Sequence, residues 1–138
     1  MTRKFAQLSQ NNLTQSVLVV DDEPMARTLL RLMLVRAGFN VYEAEDGYDA
    51  LEKVEKNPPD VVLLDVMMPG MDGFTVCEKL RAGAATANIP VIMLSAKTGL
   101  DSINQGLRAG ATVYHTKPIS PEELTRHVQD ALSDSIRN

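Results

Sequence analysis

A single cysteine, Cys77, stands in the 138 residues, which excludes an intrachain disulfide and a cysteine-built zinc cluster as the scaffold. No purely apolar run exceeds four residues, Val17 to Val20 being one, whereas a membrane-spanning helix needs about 20. Arg3 and Lys4 stand near the N-terminus, but no apolar stretch comes after them, so a secretory leader has no core. Positive charge is in the minority: 14 Lys and Arg against 18 Asp and Glu leave a net charge of −4 and a pI near 5.1. That balance disfavours a basic nucleic-acid surface. Neither Gly-x-Gly-x-x-Gly nor a phosphate-binding Gly-x-x-x-x-Gly-Lys loop occurs, so dinucleotide and P-loop chemistry lack support. The expectation is a chain working in the cytoplasm, with no membrane contact and no direct binding of DNA.

What is present is the makeup of one ordinary globular domain, 44% hydrophobic and 23% charged, which argues against wholesale disorder. A chain of this size buries roughly 68–70% of its unfolded surface, enough for a core of its own. The expected organisation is a polar tail or frayed helix over 1–15, a domain over 16–133 and a short tail over 134–138. Five apolar runs alternate with stretches long enough for crossover helices: Val17–Val20, Val41–Ala44, Val61–Leu64, Val91–Leu94 and Thr112–Thr116. That alternation marks βαβ units and a parallel sheet. The first, third and fourth runs are apolar throughout, as strands covered on both faces must be, while the second and fifth mix in polar residues and suit the edges. The fold class expected is α/β: a doubly wound, five-stranded parallel sheet in order 2-1-3-4-5, flavodoxin-like, with five helices on two faces. Ligands of such sheets sit at the switch point between strands 1 and 3.

Helix ends are readable too. Pro24 suits the first turn of the first helix, Asp46 and Asp72 can cap the second and third, and Ser120-Pro121-Glu122-Glu123 is a capping box opening the fifth. Leu124, Val128, Ala131 and Leu132 then form one apolar face. The fourth helix, about Leu100–Ala109, has Leu100, Ile103 and Leu107 as its large anchors and should be the least firmly held. Arg-Ala-Gly recurs at 36–38, 81–83 and 108–110, and reads as three helix ends, arginine facing the dipole and glycine taking a left-handed cap.

The chemistry gathers where the central strands end. The first strand runs into Asp21-Asp22-Glu23 and the third into Asp65, neighbours in the expected order. Like charges so close need something positive, and a hard divalent cation held by oxygens is the natural partner. Asp-Asp ahead of a helix can equally be a cap, but an acid closing an apolar strand rarely helps stability. The fourth strand ends in Ser95, and the fifth leads to Lys117-Pro118. Carboxylates, a hydroxyl and an ammonium on one edge make a plausible phosphoryl site. His115 and His127 are the only histidines. His127 reads as a surface residue, and His115, two before Lys117, is a minor candidate for a base or phosphocarrier. Cys77 shares a helix face with Gly73 and Leu80 and reads as a buried structural thiol.

With these residues in view, about Ser16 to Leu132 closely resembles the response-regulator receiver domains of bacterial two-component signalling. The motifs are Val19-Val20-Asp21-Asp22-Glu23-Pro24, Leu64-Asp65-Val66-Met67-Met68-Pro69-Gly70-Met71-Asp72-Gly73, Leu94-Ser95-Ala96 and Tyr114-His115-Thr116-Lys117-Pro118. The resemblance implies that Asp65 accepts a phosphoryl group from a histidine kinase or phosphotransfer protein. It implies Mg²⁺, with Mn²⁺ as a substitute, held by Asp22 and Asp65 directly, by Asp21 through water and by the backbone carbonyl of Met67. Ser95 and Lys117 would each bind a phosphoryl oxygen, Tyr114 would be the aromatic switch, and Lys117-Pro118 a cis peptide. The surface around the fourth helix, fifth strand and fifth helix would change and control an output partner. Such a domain is a single-turnover switch, monomeric or dimerising on phosphorylation, rather than an enzyme.

Departures from the family pattern are few. Serine takes the hydroxyl position, Met67 and Lys97 stand where relatives tune phosphoryl lifetime, and Thr112-Val113 replace the acids that precede the switch tyrosine in winged-helix regulators. The sequence in hand ends soon after the fifth helix, at Asp134 to Asn138, and the expectation is a stand-alone regulator, with one receiver of a larger protein as the alternative. A haloacid-dehalogenase-like phosphohydrolase would need a second acid where Met67 stands. A phosphorylation-independent pseudo-receiver would lack part of the acidic set.

Overall fold

The computed structural model describes residues 15–137. Five strands, β1 (Ser16–Val20), β2 (Asn40–Ala44), β3 (Val61–Asp65), β4 (Val91–Ser95) and β5 (Val113–Thr116), form one parallel sheet in order β2-β1-β3-β4-β5. Five helices connect and flank them: α1 (Pro24–Arg36), α2 (Gly47–Lys56), α3 (Gly73–Ala82), α4 (Leu100–Ala109) and α5 (Pro121–Arg137). This is the architecture expected from the pattern of runs. The N-terminal tail lies outside the described residues up to 14, and α5 continues to Arg137, past the boundary expected at 133.

Period-two alternation sends successive strand side chains to opposite faces. Leu18, Val20, Val62, Leu64, Val91 and Met93 pack under Ala50 and Val54 of α2, Val76, Cys77 and Leu80 of α3 and Ala109 of α4. Val17, Val19, Val61, Leu63, Ile92 and Leu94 pack under Leu30 and Leu34 of α1 and Leu124, Val128, Ala131 and Leu132 of α5. Each fully buried aliphatic contributes about 1.5–3 kcal/mol of transfer free energy, so the three central strands carry most of the core. Register lines up their ends: Val20 pairs with Leu64, Asp65 with Leu94, and Ser95 with Thr116. The polar residues at and just beyond these ends are thereby delivered to one edge.

The caps hold as read for α2, α3 and α5. Asp46 accepts from Asp49 N at 2.8 Å, Asp72 from Thr75 N at 2.9 Å, and Ser120 and Glu123 exchange two bonds of 3.1 Å. The cap of α1 is Glu23, whose carboxylate accepts from Met25 N and Ala26 N. Two expectations are corrected. Gly38 and Gly110 are left-handed (φ 100° and 107°), but Gly83 is not: its φ is −86°, and the Thr86 hydroxyl closes α3 by donating to Leu80 O at 2.5 Å. Glycine is needed there for close approach, since a Cβ would lie 2.6 Å from that hydroxyl. On α4, Leu100 and Leu107 face solvent, 75% and 49% exposed; the buried residues are Gly106 and Ala109. The helix is seated by small residues because Tyr114 occupies the space that larger ones would fill.

Candidate functional site

The site is built from residues at the carboxyl end of each central strand. Asp21, only 1% exposed, leaves β1 with its N–H donated to Ala44 O of β2. Its Oδ1 accepts from Glu23 N at 2.9 Å and its Oδ2 from Lys117 Nζ at 3.0 Å. Asp22 is exposed beside it. Asp65 closes β3, 3.7 Å from the same ammonium. Asp21, Asp22 and Asp65 each bring a carboxylate oxygen within 4.8 Å of the others. Two of these acids share one lysine and Asp22 adds a third carboxylate, an arrangement of hard oxygens with excess negative charge that fits a small divalent cation.

The electrostatics concentrate on Asp65, whose carboxyl is pushed up to about 6, first by burial and then by the charges of Asp21 and Asp22. Lys117 and the N–H of Met67 pull the other way without cancelling the rise. The backbone is crowded here: a Cβ on Gly73 would lie 2.4 Å from Asp65 O, so only glycine lets α3 start against the end of β3. Gly70, at φ 80°, turns the preceding loop. Met67 projects its side chain into solvent, 54% exposed.

Ser95 closes β4, fully buried, with its Oγ accepting from Lys97 N at 3.0 Å and its carbonyl accepting from Lys117 N at 2.8 Å. The second bond fixes where Lys117 leaves β5, and the Lys117–Pro118 peptide is cis. Tyr114 is half-buried, its ring against Gly106 and its hydroxyl donating to Lys97 O at 3.0 Å. Lys97 thus joins Ser95 and Tyr114 through its own backbone.

Two sequence readings change. The Nδ1–H of His115 donates to Thr116 O of β5 at 2.7 Å and Nε2 faces Glu123 of α5 at 3.3 Å, so both ring nitrogens are engaged, which leaves no support for a phosphocarrier. His127 is half-buried, its ring 5.2 Å from that of His115, rather than a free surface residue. Cys77 is buried, and burial raises its thiol pKa, as a structural residue requires.

Arg27 escaped the sequence reading: Nη1 donates to Asp21 O at 2.7 Å while Nε pairs with Glu43 of β2 at 2.9 Å, and Arg31 meets the same carboxylate at 3.0 Å. The turn that carries the acids is tied down by this triad. The signal available was the i, i+4 arginine pair and the acid inside an edge strand.

Fold and site together define a flavodoxin-like protein with a cation-competent acidic pocket at the switch point of its sheet. The chain belongs to the response regulator receiver domain family, whose model matches residues 17–129. It is 42% identical over 123 residues to the alkaline phosphatase synthesis transcriptional regulatory protein PhoP of Bacillus subtilis, covering 89% of this chain and 50% of that protein. It is 44% identical over 113 residues to the response regulator PleD of Caulobacter vibrioides, covering 82% of this chain and 25% of PleD. The chain therefore spans about half or less of the length of these curated relatives. Among solved structures, a response regulator from Chloroflexus aurantiacus matches with TM-score 0.83 at 37% identity, covering 86% of this chain and 98% of that one. The chemotaxis protein CheY4 of Vibrio cholerae matches with TM-score 0.82 at 35% identity, covering 86% and 99%. The family is a signalling switch of two-component systems. Among the described residues no helix is long and apolar enough to cross a membrane.

Proposed function

We propose that Asp65 is the phosphoacceptor of this receiver. The observation that carries the reading is the convergence of Asp21, Asp22 and Asp65 within 4.8 Å, with Lys117 Nζ reaching both Asp21 and Asp65. An oxygen of ionised Asp65 attacks phosphorus; the P–N bond of a phosphohistidine in a kinase or phosphotransfer protein breaks, and the leaving imidazole nitrogen keeps the electron pair and takes up a proton. Asp22 and Asp65, the Met67 carbonyl and, through water, Asp21 would hold Mg²⁺ or Mn²⁺, which would neutralise charge on the transferring group when bound. Lys117 gives up its contact with Asp65 for a phosphoryl oxygen. Ser95 turns its hydroxyl from Lys97 N to donate to another.

That turn releases the Lys97 backbone, on which the Tyr114 hydroxyl rests, so the new charge reaches β5 and α4 through one residue. A small difference between two arrangements suffices, since phosphorylation biases an equilibrium rather than building a new shape. The output is a cytoplasmic partner or domain reading the α4, β5 and α5 surface, with Thr112 and Val113 in place of the acids that pair dimers of winged-helix regulators. Intact-mass measurement after incubation with acetyl phosphate and Mg²⁺ tests the reading. One labile phosphoryl group, absent with EDTA and absent in Asp65→Asn, is expected. Label retained in that variant, or rapid multi-turnover phosphate release, overturns it.

A further inference from the structure

His115, His127 and Glu123 meet where β5 and α5 face each other. Glu123 and His127 stand at i and i+4, one above the other on α5. The ring of His115 is fixed by its Nδ1–H, which donates at 2.7 Å to Thr116 O, a carbonyl that can only accept. Its Nε2 is thereby aimed at Glu123 Oε2, 3.3 Å away. A lone pair and a carboxylate oxygen so close repel each other unless a cation lies between them. A proton is one answer, but it puts charge beside the ring of His127, whose centroid is 5.2 Å from that of His115. A metal ion is the answer that uses all three side chains.

We propose that His115 Nε2, Glu123 Oε2 and a ring nitrogen of His127 form a second cation site, one for a transition-metal ion of the Zn²⁺ type. The dimensions fit. At bond lengths of about 2.0–2.1 Å and tetrahedral angles, two donor atoms stand about 3.3 Å apart and two imidazole centroids about 5 Å apart. The corresponding pairs here are at 3.3 Å and 5.2 Å. A metal-bound imidazole commonly donates its other N–H to a carbonyl, which sets the tautomer and the ring plane, and His115 already does so. Glu123 is held in a similar way: Oε1 accepts from Ser120 N at 3.1 Å, which leaves Oε2 for the ion.

His127 closes the set by turning a ring nitrogen into the gap; as the chain stands, only Asp21, Asp22 and Asp65 among the described residues gather their ligand atoms within 4.8 Å. Burial first, then the charges of His115 and Arg126, hold the His127 imidazole below its ordinary pKa against the pull of Asp130 and Glu123. At pH 7 it is therefore neutral, as a ligand must be. Two sites of different chemistry then share the chain. The acidic pocket offers oxygens and suits Mg²⁺, whereas two nitrogens and one oxygen between β5 and α5 suit metals that favour imidazole. Three protein ligands leave a fourth position for water, and side chains 21% (His115) and 41% (Glu123) exposed leave a way in. The ion would fasten β5 to α5 two residues before Lys117.

The experiment titrates the full chain with Zn²⁺ by calorimetry in excess Mg²⁺, which competes for the acidic pocket, and follows the imidazole resonances by NMR. The chain has two histidines, so both can be assigned. The expected result is one Zn²⁺ per chain, with the ring nitrogens of His115 and His127 shifted together. Loss of a group that merely orients a ligand costs about 10–100-fold in affinity, so His127→Gln and Glu123→Gln should each cost at least that. Glutamine also serves the capping position of α5, so the second variant keeps its helix start, which an unchanged Tm without Zn²⁺ checks. Imidazole resonances that stay put on addition of Zn²⁺ overturn the proposal. So does Zn²⁺ binding that survives both changes, or that is lost in Asp22→Asn instead, which would place the ion in the acidic pocket.

Discussion

The two halves of the functional edge are built on different principles. On the β1 and β3 side, charged side chains are fixed by other charged side chains and by an immovable backbone: Lys117 on Asp21, Arg27 on Asp21 O, Gly73 against Asp65 O. On the β4 and β5 side, the links pass through the main chain of one exposed residue, Lys97, and through a helix seated by Gly106 and Ala109. The first half is braced from several sides at once. The second can rearrange, because a hydroxyl leaving one N–H and a ring leaving one carbonyl each give up a single modest hydrogen bond.

Glycine replacements break that comparison most sharply. Gly73→Ala drives a methyl into backbone atoms at 2.4 and 2.8 Å, which only displacement of α3 can relieve. A loss of about 3 kcal/mol, at the upper end of overpacking costs, is expected from urea unfolding. Gly106→Ala meets the ring of Tyr114 at 2.7 Å and the flexible sulfur of Met93 at 3.0 Å, both able to yield. Its cost is about 1 kcal/mol. Equal losses would show that the two halves are equally rigid.

Lys117→Ala is next. It leaves Asp21, 1% exposed, without its ammonium, while the lysine itself is 28% exposed. A buried pair broken on one side costs about 3–5 kcal/mol, and the solvent at Lys117 reduces this to about 2. Added Mg²⁺ should restore much of the loss by taking over the neutralising role, measured as a larger metal-induced rise in Tm than in the native chain. A variant that gains nothing from Mg²⁺ would remove the cation from the account.

Asp65→Asn works in the opposite direction in the metal-free protein. The fold raises this carboxyl from 3.8 to about 6, so the folded state prefers it protonated. Its contribution to stability is full below pH 3.8 and is lost as pH rises through 6. A pKa difference of one corresponds to about 1.4 kcal/mol, reduced for a side chain still partly in contact with water. Replacing Asp65 should therefore stabilise the EDTA-treated protein by about 1–2 kcal/mol at pH 7.5. Near pH 4 the gain should vanish. Stabilisation that does not change between the two pH values would point to packing rather than charge.

How much of this was legible obeys the same division. The carboxylates, Ser95, Lys117 and three helix caps could be read because side chains carry them and strand order brings them together. Arg27 on Asp21 O, Arg81 on the carbonyls of Ala87, Ile89 and Gly110, and Tyr114 on Lys97 O end on main-chain acceptors, which no residue letter marks. Leu100 and Leu107 misled for a related reason. Their spacing announces an apolar helix face but not that a tyrosine ring already fills the space beneath α4. Gly83 looked like its two sequence counterparts, and only the hydroxyl of Thr86 shows why its backbone differs.

The smallest expected effect probes the movable half directly. Tyr114→Phe keeps the ring on Gly106 and removes only the bond from the hydroxyl to Lys97 O. A net hydrogen bond of this kind contributes about 0.5–1.5 kcal/mol, so global stability should fall by about 1 or less. The local consequence should be larger than the global one. With Lys97 held only through its N–H to Ser95, the 96–99 loop and the first turn of α4, which lacks a side-chain cap, open more readily. Hydrogen exchange of amides 97–103 should accelerate while those of β1 and β3 stay unchanged. Uniform acceleration across the sheet would mean that Tyr114 supports the core as a whole and that the two halves are mechanically one.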